Sequence, residues 1–154
     1  MDFSDYKGIY VIGALTDGRI QKVTGELTGE ARVLADQLGE KVSVILIGSG
    51  LVYEAVSLIS LGADTVYVMD DPKLDHYDGK AYQKVLTDFL KDKKPNTIIF
   101  AATHMGRDLA PRLAAQLVCG VTADVTELSA DVEKGLVIWS RPAMDGNIMA
   151  DIVS

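Results

Sequence analysis

Four short apolar runs punctuate the chain: Ile9–Ala14, Val42–Ile47, Thr65–Met69 and Thr97–Ala102. Each is rich in β-branched residues and continuous rather than alternating, which is how strands buried on both faces read. Between them the apolar positions change to a helical period. Leu27, Ala31, Leu34 and Leu38 form one stripe, Val52, Ala55, Val56 and Ile59 a second, and Tyr82, Val85, Leu86 and Phe89 a third. Leu109, Leu113 and Leu117 mark a fourth helix after the last run. Gly39 and Gly62 stand where the first two helices should end, and Lys91, Lys93, Lys94 and Pro95 close the third. Strand and helix alternate, so the expected class is α/β, a three-layer, doubly wound, mostly parallel sheet.

Near residue 120 the pattern changes. Val121–Leu128, Leu136–Ser140 and Asn147–Val153 read as strands with turns between them, at Lys134-Gly135 and Asp145-Gly146. Short, partly antiparallel C-terminal strands are expected at one side of the sheet. The 154 residues fit a single domain, 1–154. An end within an apolar strand suggests a piece of a longer protein.

Charge and cysteine narrow the function. The formal net charge of −7 argues against nucleic acid or an anionic membrane as the main partner. One cysteine, Cys119, excludes an intrachain disulfide and points to a reducing compartment such as the cytoplasm. Its neighbours suggest a small buried hydrophobe. No run approaches the roughly 20 residues of a membrane span, so no membrane insertion is expected. His76 and His104 fall in no metal-ligand spacing, and His76 reads as a solvated loop residue.

Gly48-Ser49-Gly50 ends a strand and opens a helix, with Asp70-Asp71 about 20 residues on, as in a dinucleotide-binding turn. Tyr53 stands where that motif needs its third glycine, and its ring should obstruct helix–strand packing. A tight turn is the simpler reading. A hydride-transferring enzyme also lacks a nameable catalytic acid or base.

The segment from Thr103 to Leu117 is richer. Thr103 and His104 fall at the carboxyl tip of a strand, where open α/β sheets bind ligands. Gly106 permits a sharp turn. Arg107 and Asp108 then open a helix, with Pro111 in its first turn. On one reading Thr103, His104 and Arg107 face a cofactor or partner. On the other, Asp108 caps the helix and Arg107 pairs with an acid such as Asp124. Arg141 is similarly open between a flavin or phosphate contact and a structural role at a strand end.

Three ordered motifs carry a resemblance: T-x-x-G-R-D-L-A-P-R-L-A-A at 103–115, G-V-T-A-D-V at 120–125 and R-P-A-M-D-G-N-I-M-A at 141–150. With the helix at 26–35 and the G-A-D-x-V-Y-V turn at 62–68, they resemble the alpha subunit of an electron transfer flavoprotein. The resemblance spans the chain and implies its N-terminal domain, with the C-terminal FAD domain absent. It implies an electron carrier rather than a stand-alone catalyst, pairing with a beta subunit and serving acyl-CoA or other flavin dehydrogenases. FAD belongs to the full-length heterodimer, and this fragment is not expected to retain it. Thr103, His104, Arg107 and Arg141 match motifs facing a second flavin, or AMP, in the beta subunit. An arginine there would stabilise anionic reduced flavin and raise its potential. The competing class is a nucleotide-binding (ATP or AMP) stress-type domain, whose late phosphate loop the chain lacks.

Overall fold

The computed structural model describes residues 4–143 and 148–153. The apolar runs become β1 (Ile9–Ile12), β4 (Val42–Gly48), β5 (Thr65–Asp70) and β6 (Thr97–Phe100), all parallel, in the order β5-β4-β1-β6. A hairpin, β2 (Leu15–Thr16) and β3 (Arg19–Ile20), follows β1. The helices are α1 (Lys22–Leu38), α2 (Val52–Ser60), α3 (Gly79–Lys93) and α4 (His104–Leu117).

Continuous apolar strands imply cover on both faces, and the two cores supply it. Ile9, Val11, Val42, Val44 and Leu46 pack with Ala31, Leu34 and Ala35 of α1 and with Leu51, Ala55 and Leu58 on the α2 side. Tyr10, Ile12, Ile45 and Ile47 face Tyr82, Leu86 and Leu90 of α3 and Leu109 and Leu113 of α4. The result is the doubly wound three-layer arrangement expected. The helix ends also match: Gly39 takes a left-handed conformation (φ 68°) and donates to the Ala35 carbonyl, and Lys94 does the same for α3.

The second stripe differs in detail. Ala55 is buried, but the inward partners are Leu51 and Leu58, while Val56 and Ile59 are exposed. The Val52 side chain lies outside the described residues. Tyr53 does not obstruct packing, because its ring points to solvent and is 93% exposed.

The C-terminal strands β7 (Glu127–Asp131), β8 (Leu136–Ala143) and β9 (Ile148–Val153) form a separate, wholly antiparallel sheet. It lies against the α1 side, with Val137 in that core and Leu128, Ala130 and Trp139 packed on it. Residues 121–126, read as strand, pair with no strand apart from a Thr126 N–H bond to the Ser140 carbonyl. The Asp145-Gly146 turn lies outside the described residues. Cys119 is exposed rather than buried, because the chain leaves α4 through a left-handed Val118 (φ 56°) and carries both side chains outward. Among the described residues, no helix is long and apolar enough to cross a membrane.

One ion-pair network ties α1 to the sheet. Asp64 accepts the Val42 N–H at 2.7 Å and the Arg32 guanidinium at 2.8 Å. Those two donors hold its carboxyl below the usual carboxylate range. A depressed carboxyl stabilises the fold above its unfolded pKa of about 3.9, and the gain is lost as pH falls through the folded value. The Asp64 side chain is 39% exposed, so solvent screening keeps the gain to the order of 1 kcal/mol. Asp64→Asn should therefore be less stable than wild type in urea at pH 7. At pH 3 the gap should shrink, and an equal gap at both values would contradict the assignment.

Candidate functional site at the strand tips

The carboxyl ends of β4, β1 and β6 open into a trough. Its first wall is the β2–β3 hairpin. Asp17 (φ 50°) and Gly18 (φ 72°) both take positive φ, as a two-residue type I′ turn requires. This Asp-Gly signal was available in the sequence and locates a wall that motif reading missed. The hairpin root is held by buried Thr24, whose Oγ1 accepts the Ala14 N–H at 2.9 Å and lies 3.2 Å from the Ala14 carbonyl.

Two hollows occupy the trough. One, of about 110 Å³, lies between the hairpin (Leu15, Asp17, Gly18) and the β4 tip (Gly48, Ser49). The other, of about 240 Å³, is lined by Ala14, Gln21, Thr103 and His104. Leu15, Tyr77 and Met105 border both.

The Gly48-Ser49-Gly50 turn is occupied by the protein itself. The N–H groups of Gly50 and Leu51 donate to the two oxygens of Asp70, at 2.9 and 3.0 Å. A carboxylate thus sits where a phosphate would have to bind, and it comes from the acidic pair whose spacing suggested a dinucleotide-binding turn. The dinucleotide reading falls on this geometry, and the tight-turn reading stands.

Helix α4 begins three residues before Arg107. Thr103, not Asp108, is its cap: the Thr103 Oγ1 accepts the Gly106 N–H at 3.2 Å. Asp108 instead accepts the Tyr77 hydroxyl at 2.6 Å and the Arg112 Nε at 2.9 Å. Pro111 is therefore in the helix interior rather than its first turn. It leaves the Arg107 carbonyl without its helical donor, on an exposed side of α4 where water can serve. Gly106 makes no sharp turn and has no positive φ. A Cβ there would lie 2.0 Å from the Ala101 carbonyl oxygen, so glycine serves close approach.

Of the four candidate residues, Thr103 and His104 share the larger hollow. Arg107 does not line it, and pairs with Asp124 at 3.3 Å, both side chains being largely exposed. Arg141 lies on β8 opposite Ala150 of β9, half-buried and away from both hollows. His76 is 96% exposed, and no metal-binding cluster occurs among the described residues.

The electron transfer flavoprotein domain model matches residues 10–154. The chain belongs to the electron transfer flavoprotein family. Its sequence is 50% identical over 153 residues to the electron transfer flavoprotein subunit alpha of Megasphaera elsdenii, covering 99% of this chain and 45% of that protein. It is 45% identical over 149 residues to the subunit alpha of Thermoanaerobacterium thermosaccharolyticum, covering 97% and 45%. It is also 44% identical over 154 residues to the lactate dehydrogenase (NAD(+),ferredoxin) subunit LctC of Acetobacterium woodii, covering 100% and 37%. The chain thus spans less than half the length of these relatives. A universal stress protein from Archaeoglobus fulgidus gives a TM-score of 0.47 at 14% identity, covering 69% of this chain and 92% of that one, a likeness too slight to weigh beside them. In this electron transfer flavoprotein chain the first motif has concrete structural work: the Thr103 cap, the Gly106 approach and the Asp108 link to Tyr77 and Arg112.

Proposed function

We propose that this chain is the N-terminal domain of an electron transfer flavoprotein alpha subunit, residues 1–154 forming one domain that pairs with a beta subunit. It serves as part of an electron carrier between flavin dehydrogenases, including acyl-CoA dehydrogenases, and downstream acceptors in the cytoplasm. The observation that carries this reading is the 50% identity to a subunit alpha along nearly the whole chain.

Among the described residues, the turn and the two hollows at the strand tips do not fit FAD held by the chain alone. The helix start that could take a pyrophosphate holds Asp70, and the hollows fall below the roughly 300–1,000 Å³ of ordinary small-molecule sites. These features support a reading in which FAD is held only in the assembled heterodimer. A partner surface near the C-terminal strands is supported by exposed Val118 (87%), Val121, Ile148, Met149 and Val153. Large exposed apolar groups of this kind are what a subunit interface covers.

Thr103, His104, Arg107 and Arg141 face the partner's flavin or nucleotide in this reading. Arg107→Ala and Arg141→Ala should each lower the potential of a nearby flavin in the full heterodimer, since a charge favouring its reduced anion is removed. The shift should be at most about 59 mV for a one-electron couple, a tenfold change in equilibrium. Arg107 should give the smaller shift, because Asp124 already offsets its charge. Unchanged potentials in both variants, measured by spectroelectrochemistry, would leave these arginines a structural role only.

A further inference from the structure

Tyr77 is tied down from outside the trough that it borders. Its ring lines both hollows, while its hydroxyl reaches away to Asp108 on α4 at 2.6 Å. Asp108 is in turn fixed by the Arg112 Nε at 2.9 Å. The contact is close-fitted: a Cβ at Gly79 would lie 2.9 Å from the Asp108 Oδ2 and 3.3 Å from the Tyr77 hydroxyl. Burial and the Asp108 carboxylate push the Tyr77 hydroxyl up, so it remains a donor. Its own bonds to Tyr77 and Arg112 hold the Asp108 carboxyl low, so it remains an acceptor.

The backbone on either side of this tie is anchored. Leu74 is buried, and its carbonyl accepts the Tyr82 hydroxyl at 2.7 Å. Asp78 caps α3 through the Ala81 N–H at 2.8 Å. Between these anchors Asp75 and His76 are exposed, and Tyr77 itself is 36% exposed, held inside by an edge contact with Tyr82 at 5.1 Å and by the Asp108 bond. The short link from 75 to 77 lies between these anchors and borders the trough through Asp75 and Tyr77, of which only Tyr77 lines both hollows.

We propose that Tyr77 is a latched gate, fastened by Asp108, that divides the trough at the strand tips into two small hollows and joins them into one when it swings outward. The closed hollows, of about 110 and 240 Å³, are each below the usual size for a small-molecule site. Joined, they reach the lower end of that range. The compartment so formed takes a neutral ring-bearing molecule. Its apolar walls are Leu15, Met105 and Ala14; Gln21, Thr103 and His104 add polar groups at the larger hollow, and the exposed carboxylates of Asp17 and Asp75 at the smaller hollow disfavour an anion. The gate stands independently of the subunit pairing proposed above.

The test compares wild type, Tyr77→Phe, Asp108→Ala and Tyr77→Ala in this chain, titrated with the neutral fluorescent probe N-phenyl-1-naphthylamine. Hydrogen exchange is followed in parallel by mass spectrometry. Tyr77→Phe keeps the ring and loses the latch, Asp108→Ala loses the latch from the other side, and Tyr77→Ala removes the gate. All three should bind the probe at least about tenfold more tightly than wild type, with Tyr77→Ala tightest. Exchange should quicken about tenfold or more at residues 75–79 while β1 and β4 keep their protection. Wild-type binding in both Tyr77→Phe and Asp108→Ala would overturn the gate. So would faster exchange spread evenly over the sheet, which would mark general loosening rather than a released latch.

Discussion

Gly106→Ala is expected to destabilise the chain by about 3 kcal/mol or more, above the ordinary cost of overpacking. Helix propensity alone gives the opposite sign, since alanine in place of glycine inside a helix is worth about 1 kcal/mol. The geometry decides between them. The added Cβ would sit 2.0 Å from the Ala101 carbonyl oxygen and 3.2 Å from its carbon. Both are backbone atoms at the end of a strand, and Ala101 is buried, so they cannot yield as a flexible side chain would. Either α4 moves away from the sheet or its first turn unwinds, and both disturb the Thr103 cap. Chemical denaturation of wild type and variant is the check. A variant equal to or more stable than wild type would show that the first turn adjusts freely and that close approach is not why glycine is there.

Thr24→Val is expected to cost about 2 kcal/mol, although the two side chains have nearly the same shape. Thr24 is fully buried, and its hydroxyl is the acceptor for the Ala14 N–H. Valine strands that donor in the core, where water cannot reach it. The Ala14 carbonyl suffers less, because it also accepts the Gln21 N–H at 2.9 Å. The loss should appear first in the β2–β3 hairpin, as faster amide exchange over residues 15–20. Thr24→Ser, which keeps the hydroxyl, should recover most of the stability. Valine within 0.5 kcal/mol of wild type, a margin taken as ordinary for surface changes, would contradict the role given to this hydroxyl.

The parallel sheet was legible because strands covered on both faces leave a continuous apolar run, as at Val42–Ile47, with nothing else of that length to confuse it. The helix termini at Gly39 and Lys94 were legible for a similar local reason: left-handed ends and flanking proline are written in single residues. The face of α2 was not. Val56 and Ile59 continue the apolar spacing yet point outward, because packing on the sheet is set by Leu51, Ala55 and Leu58. Apolar spacing in a helix that is apolar nearly all round does not select a side.

Within the site, Thr103 and His104 were correctly placed at a strand tip because that position follows from topology alone. The start of α4 was misjudged because Arg107-Asp108 resembles an opening more than Thr103-His104-Met105 does. The actual cap uses a hydroxyl on the Gly106 N–H. Tyr77 was invisible as a site residue, since its partner Asp108 lies 31 positions away and no local signal joins them. The preference for a tight turn over a dinucleotide site at Gly48-Ser49-Gly50 was sound, but the part Asp70 plays in that turn was not legible. The Asp70 carboxylate lies at the end of the next strand and closes the α2 turn of its own chain.

Sedimentation velocity of this chain mixed with its cognate electron transfer flavoprotein beta subunit bears most directly on the proposed role. The exposed apolar groups at Val118, Val121 and along β9 should be covered on pairing, and the mixture should sediment as one 1:1 species. Charged substitutions at Val118 and Val121 should weaken that species without unfolding the chain, since both side chains already face solvent. If the chain and the beta subunit sediment separately at concentrations of about 50 μM, far above what a standard-size interface requires, the pairing assigned to this domain is wrong.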